Sequence, residues 1–117
     1  GPPKLMTSDV VNLVEVGVAL KPETEISRLI PYLKDIFFVQ VLAVEPGRAG
    51  QEFDKGVLEK IKFLKKNYSK IIVEADGGIN LETAKLAKSA GADIIVSASY
   101  IFQTENFRKN YDDLRRV

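Results

Sequence analysis

The sequence contains no cysteine, no histidine and no tryptophan. Without Cys there is no disulfide framework, thiol nucleophile, zinc finger or iron–sulfur site. Without His the chain cannot by itself build a Ser-His-Asp triad, a His-liganded metal or an ordinary pH switch. A metal held by these residues alone would rely on carboxylates, carbonyls and water. An excess of one charge is lacking too. The 17 Lys+Arg face 16 Asp+Glu, a net charge of +1, which gives no reason to expect nucleic acid or an anionic membrane as partner. No apolar run approaches the ~20 residues needed to span a bilayer. The start, Gly1-Pro2-Pro3-Lys4-Leu5-Met6, lacks the apolar stretch of a secretory signal, so a cytoplasmic, reducing location is the expectation.

What is present is a regular alternation. Val16-Gly17-Val18-Ala19-Leu20, closed by Lys21-Pro22, reads as a buried strand. Ile26, Leu29, Ile30 and Leu33 then recur at helical spacing, with Thr24 as N-cap and Pro31 as a local disturbance. Ile36 to Val44 is β-branched and aromatic, a second strand. Val57, Ile61, Leu64 and Tyr68 mark one face of the next helix, and the lysines between Lys55 and Lys70 form a solvated one. Ile71-Ile72-Val73 opens a third strand that ends at Asp76-Gly77-Gly78. Asn80 caps a helix carrying Leu86, Ala87 and Ala90 and stopped by Gly91. Asp93 to Ser97 is a fourth strand, and Thr104 caps a last helix with Phe107, Tyr111 and Leu114 facing inward. A helical remnant is expected around Ser8 to Val14.

Apolar strands alternating with amphipathic helices predict an α/β fold with a helix-covered parallel sheet. The 117 residues suit one domain, with an N-terminal remnant over 1–15 and four β-α units over 16–117. Right-handed crossovers leave two arrangements: an open four-stranded sheet, or half of a (β/α)8 barrel, which takes roughly 250 residues when complete.

Ligands of parallel α/β folds bind where strands end, in the βα loops. Three such loops stand out here: Glu45-Pro46-Gly47-Arg48-Ala49-Gly50-Gln51, Asp76-Gly77-Gly78-Ile79-Asn80, and Ser97-Ala98-Ser99. Glycines beside a helix start let backbone N–H groups approach a phosphate; they also simply permit tight turns, and both readings stand. Asp76 is the catalytic candidate, because a carboxylate ending an apolar strand is costly unless hydrogen-bonded, paired or on a metal. Its plainer reading is a turn-forming Asp-Gly pair. Glu74 should point to the same side as Asp76 and pair with Gln40 on the neighbouring strand. Arg48 is either a phosphate contact or a solvated loop tip.

At these loops the sequence resembles the ribulose-phosphate 3-epimerase family over nearly all of residues 16 to 117. The segments that carry it are GVALKPET (17–24), VEPGRAGQEF (44–53), EADGGINLETAKLAKSAGADIIVSAS (74–99) and the Ile-Phe pair at 101–102. The resemblance implies a (β/α)8 barrel that inverts C3 of a pentulose 5-phosphate such as ribulose 5-phosphate. Two aspartates on opposite sides of the sugar exchange a proton through an ene-diolate. A divalent metal (zinc, manganese or iron) held by those aspartates and two histidines steadies the oxyanion. Asp76 matches the later aspartate, acid/base and metal ligand in one. Gly47, Gly50, Gly77, Gly78 and Ser99 match phosphate-binding positions. Departures lie close by: Arg48-Ala49 for Phe-Gly, Leu42-Ala43 for Met-Thr beside the metal, Ala75 for Val, and Ala98 for Gly.

The resemblance further implies strands five to eight of such a barrel, the other aspartate and both histidines belonging to the first half. The expectation is therefore an epimerase half that retains neither metal nor turnover alone, completed by a complementary N-terminal half. The competing expectation is a non-catalytic phosphate-binding or structural module that forms a homo-oligomer, since half a barrel leaves open edges and an exposed inner face.

Overall fold

The computed structural model describes residues 10–13, 17–47, 50–97 and 107–117. Its centre is a five-stranded sheet in the order β1-β2-β3-β4-β5: β1 Val10–Leu13, β2 Gly17–Leu20, β3 Phe38–Leu42, β4 Ile72–Asp76 and β5 Ile94–Val96. β2 to β5 are parallel and adjacent in chain order, which is the expected α/β alternation. Helix α1 (Val57–Asn67) connects β3 to β4, α2 (Leu81–Ala90) connects β4 to β5, and α3 (Phe107–Arg115) closes the chain.

The strands form where apolar residues run together between turn signals. Their alternation divides the sheet into two faces. Val18, Leu20, Val39, Val41, Val73 and Ala75 are buried on one face against Val57, Ile61 and Leu64 of α1 and Ala84 and Ala87 of α2. The other face carries Ala19, Phe38, Gln40, Leu42, Ile72, Glu74, Asp76, Ile94 and Val96, in rows set by the register Ala19↔Gln40↔Glu74↔Ile94 and Leu42↔Asp76↔Val96. No described helix covers it, and Ile72 and Ile94 keep 40% and 41% of their surface exposed. An open doubly wound sheet has helices on both faces and a reversal of strand order. Sequential strands with helices packed on one face are instead the winding of part of a (β/α)8 barrel.

Four expectations change. The remnant around Ser8 to Val14 contains a strand where a helix was expected: Val10–Leu13 pairs antiparallel with β2. The β-branched Val10-Val11 pair favours extended backbone, and a free sheet edge supplies its partners. The helix expected after the first strand is two 3-10 turns, Ile26–Arg28 and Ile30–Asp35, with Pro31 in the first turn of the second. Proline lacks the N–H that an α-helix through Ser27 and Pro31 requires, so the chain restarts there. The N-cap position of the first turn is Glu25, one residue after Thr24, and its side chain makes no cap hydrogen bond.

On α2 the buried positions are Thr83, Ala84, Ala87 and Ala90, with Leu86 half-buried. On α3, Tyr111 is 43% exposed while Asn110 is buried and Leu114 half-buried. Ala84, Ile95, Tyr111 and Leu114 line a cavity of about 220 Å³, and the Arg115 guanidinium lies over the Tyr111 ring, 6.0 Å from its centroid. Val16, Thr104 and the side chain of Phe107 lie outside the described residues. No described helix is long and apolar enough to cross a membrane.

Candidate functional site

The uncovered sheet face brings the polar residues of two adjacent strands, β3 and β4, to one point. Gln40 Nε2 donates to Glu74 Oε1 at 2.9 Å and to Asp76 Oδ2 at 3.1 Å. The two hydrogens of one amide thus bridge two carboxylates, the pairing that strand alternation predicts. Asp76 ends β4, and burial pushes its carboxyl above the usual carboxylate value, with a hydrogen bond from the Gly77 N–H opposing the rise. A partly desolvated carboxylate held by hydrogen bonds suits proton transfer: its basicity is raised and its position fixed. Leu42 sits beside Asp76 in the register, filling space without offering a donor atom.

Two glycines follow this carboxylate directly. Gly77 and Gly78 have φ +100° and +67°. A methyl at Gly77 would lie 2.5 Å from Val44 Cγ2, and one at Gly78 2.6 Å from Phe53 N. Only glycine allows this approach, which presses the loop after β4 against both ends of the loop after β3. Gly47 and Gly50 also take positive φ, 79° and 72°, but stand at the exposed loop tip with nothing within 4 Å of a methyl there. Ser99, Arg48 and Ala98 lie outside the described residues.

The start of α2 is already capped by its own side chains. Thr83 N–H donates to Asn80 Oδ1 at 2.9 Å, and Asn80 N–H donates to Thr83 Oγ1 at 2.8 Å. Two N–H groups at this helix start are therefore engaged, and fewer remain for an anion than the sequence implies. The sequence reading also missed the residue that shapes the preceding loop. Glu45 N–H donates to Gln51 Oε1 at 3.0 Å, and Gln51 Nε2 donates to Glu45 O at 2.8 Å. A glutamine six residues from the carbonyl it closes on has no local signature.

The donor set present does not fit a divalent metal by itself. Among the described residues no group of three or more His, Cys, Asp or Glu is placed to hold an ion, and the sequence has no imidazole or thiolate to offer. Glu74 and Asp76, the two carboxylates of this face, share the Gln40 amide.

Comparisons with known proteins agree with this architecture. The profile described as "Ribulose-phosphate 3 epimerase family" matches residues 11–102. A ribulose-phosphate 3-epimerase of Schizosaccharomyces pombe is 39% identical over 100 residues, covering 86% of this chain and 44% of that protein. One from Methanocaldococcus jannaschii is 41% identical over 104 residues, 86% of this chain and 44% of that protein. A rice (Oryza sativa subsp. japonica) relative, named as a cytoplasmic isoform, is 39% identical over 89 residues, 74% of this chain and 39% of its own length. The chain spans less than half the length of these relatives.

Proposed function

This chain belongs to the ribulose-phosphate 3-epimerase family, and on that premise we propose that its four parallel strands are one half of an enzyme that inverts C3 of a ketose phosphate such as ribulose 5-phosphate. The observation that carries the reading is Asp76: a desolvated carboxylate at the end of a parallel strand, on the uncovered face, held by Gln40 and bordered by Gly77-Gly78.

The C3 hydrogen of such a sugar is acidic because it lies beside the C2 carbonyl. Asp76 removes it from one side, leaving an ene-diolate, or returns a proton to that side in the reverse direction. Gln40 donates to Oδ2 and so fixes the orientation in which the carboxylate meets C3. The backbone of Gly47, Gly50, Gly77 and Gly78, with Ser99, receives the 5-phosphate and fixes the distance from phosphate to C3. Inversion needs a second acid on the opposite side of the sugar. Glu74 cannot be that group: it shares a sheet face and one amide with Asp76. The second acid therefore comes from strands that cover this face, and the 117 residues alone do not turn over. A cytoplasmic location goes with this reading, in keeping with the name of the rice relative.

The test is complementation. The chain alone, and the chain refolded with the N-terminal half of the S. pombe relative, are assayed for exchange of the C3 proton of ribulose 5-phosphate in D2O. The mixture is expected to exchange and the chain alone to be silent. Asp76→Asn should reduce the mixture's rate by about 100-fold or more, the scale of a lost general acid–base group. Turnover by the chain alone, or a mixture indifferent to Asp76→Asn, overturns the proposal.

A further inference from the structure

Each edge of a strand accepts one neighbour. On β2, one edge is taken by β3 in parallel register, from Gly17↔Phe38 to Leu20↔Val41. β1 takes the other edge, antiparallel, with Val10↔Leu20 and Leu13↔Val18. A (β/α)8 barrel closes through parallel pairs only, so β1 sits where a completing strand must enter. We propose that β1 is a displaceable edge cap, and that its release lets β2 pair with β5 of a second copy, closing one eight-stranded barrel from two chains.

The inference rests on the half-barrel reading above and adds a gate to it. β1 is built to leave. It is four residues long, and its register slips between Val10 and Leu13, so its ladder is short and interrupted. Only residues 14–16 separate it from β2, too few for the crossover that a parallel neighbour needs; β1 can block this edge but never complete it.

A second copy is the occupant for three reasons. Each chain supplies four parallel strands, and eight is the number at which interior side chains fill a barrel. Each leaves β5 without an outer neighbour among the described residues, the counterpart that a freed β2 requires. Each also exposes Ile72 and Ile94 on the face that closure would bury, and a net charge of +1 opposes pairing only weakly. The contact is isologous: β2 of one copy on β5 of the other, twice.

Sedimentation equilibrium of three proteins tests this: the full chain, a chain lacking residues 1–13, and the full-length Val11→Pro variant, which disrupts the β1 ladder with a single substitution. Far-UV circular dichroism checks that each is folded. The full chain is expected to be monomeric. Both altered chains should dimerise, with a dissociation constant lower by about tenfold or more, and Ile94→Lys added to either should return it to monomer. Folded variants that stay monomeric, a full chain that dimerises equally well, or an Ile94→Lys change without effect overturns the proposal. So does loss of the sheet signal in both variants, because β1 would then be part of the fold and no cap. Sedimentation depends on no chemistry, so a failure here is separate from a failure of the complementation assay.

Discussion

Replacing Gly78 by alanine should destabilise the chain far more than the same change at Gly47, although both glycines take similar positive φ, +67° and +79°. The left-handed backbone costs an alanine about 1–2 kcal/mol at either position. At Gly47 that is the whole effect, because nothing lies within 4 Å of the added methyl. At Gly78 the methyl would meet Phe53 N at 2.6 Å and Phe53 Cα at 2.8 Å. Those are backbone atoms of a buried residue, and the Asp54 N–H donating to Ala43 O at 2.8 Å pins the same segment to the end of β3. Nothing flexible can swing aside, so overpacking adds roughly 1–3 kcal/mol. The total at Gly78 is then roughly 2–5 kcal/mol, a large part of the ~5–15 kcal/mol that holds a small domain folded. At about 4 °C per kcal/mol for a chain of this size, calorimetry should find Tm lowered by roughly 8–20 °C for Gly78→Ala and 4–8 °C for Gly47→Ala. Melting temperatures within about 2 °C of each other would refute the close packing of the two loops. The phosphate role proposed for Gly78 would then lose its structural basis.

Three further outcomes are expected. Asn80→Ala removes one arm of the reciprocal cap on α2 and should cost about 1 kcal/mol in urea unfolding, with the m-value unchanged. Asp76→Asn should stabilise the chain at neutral pH. The folded carboxyl titrates above its unfolded value of 3.8, so the native state binds more protons than the unfolded one as pH rises from there, and the parent loses stability across that window. The neutral amide avoids the loss, and melting curves of parent and variant should converge below pH 3.8. Asp93 behaves in the opposite sense. Burial alone would raise its carboxyl, but hydrogen bonds from Lys65 Nζ and Val73 N–H, with the Lys65 charge, hold it below the usual value. Its contribution is present at neutral pH and lost as pH falls through the depressed value. Asp93→Asn should therefore lower Tm at pH 7, and the difference should shrink in acid below pH 3.8.

Much of the candidate site is legible in the chain because a strand has a period of two. Glu74 and Asp76 must share a face, and Gln40 on an adjacent parallel strand is within reach of both; the hydrogen bonds at 2.9 and 3.1 Å agree. The Asn80 cap is equally local, since its partner Thr83 lies three residues on. The Glu45–Gln51 closure and the contact of Gly78 with Phe53 were not legible, because each joins residues whose approach depends on how two loops pack. Tyr111 misled for a related reason. Helical periodicity names a face but not its neighbours, and α3 turns Asn110 inward instead.

From residue types and their spacing alone come the parallel α/β alternation, the shared face of Glu74 and Asp76 and the carboxylates available for chemistry. These follow from short-range sterics and from burial of the nearest apolar stripe, which every stretch of chain carries with it. Tertiary structure alone decides which face stays uncovered and that β1 occupies the edge of β2. Those properties depend on the order of strands and on what packs against them, and no local pattern encodes a neighbour that arrives from elsewhere in the chain or from another copy of it.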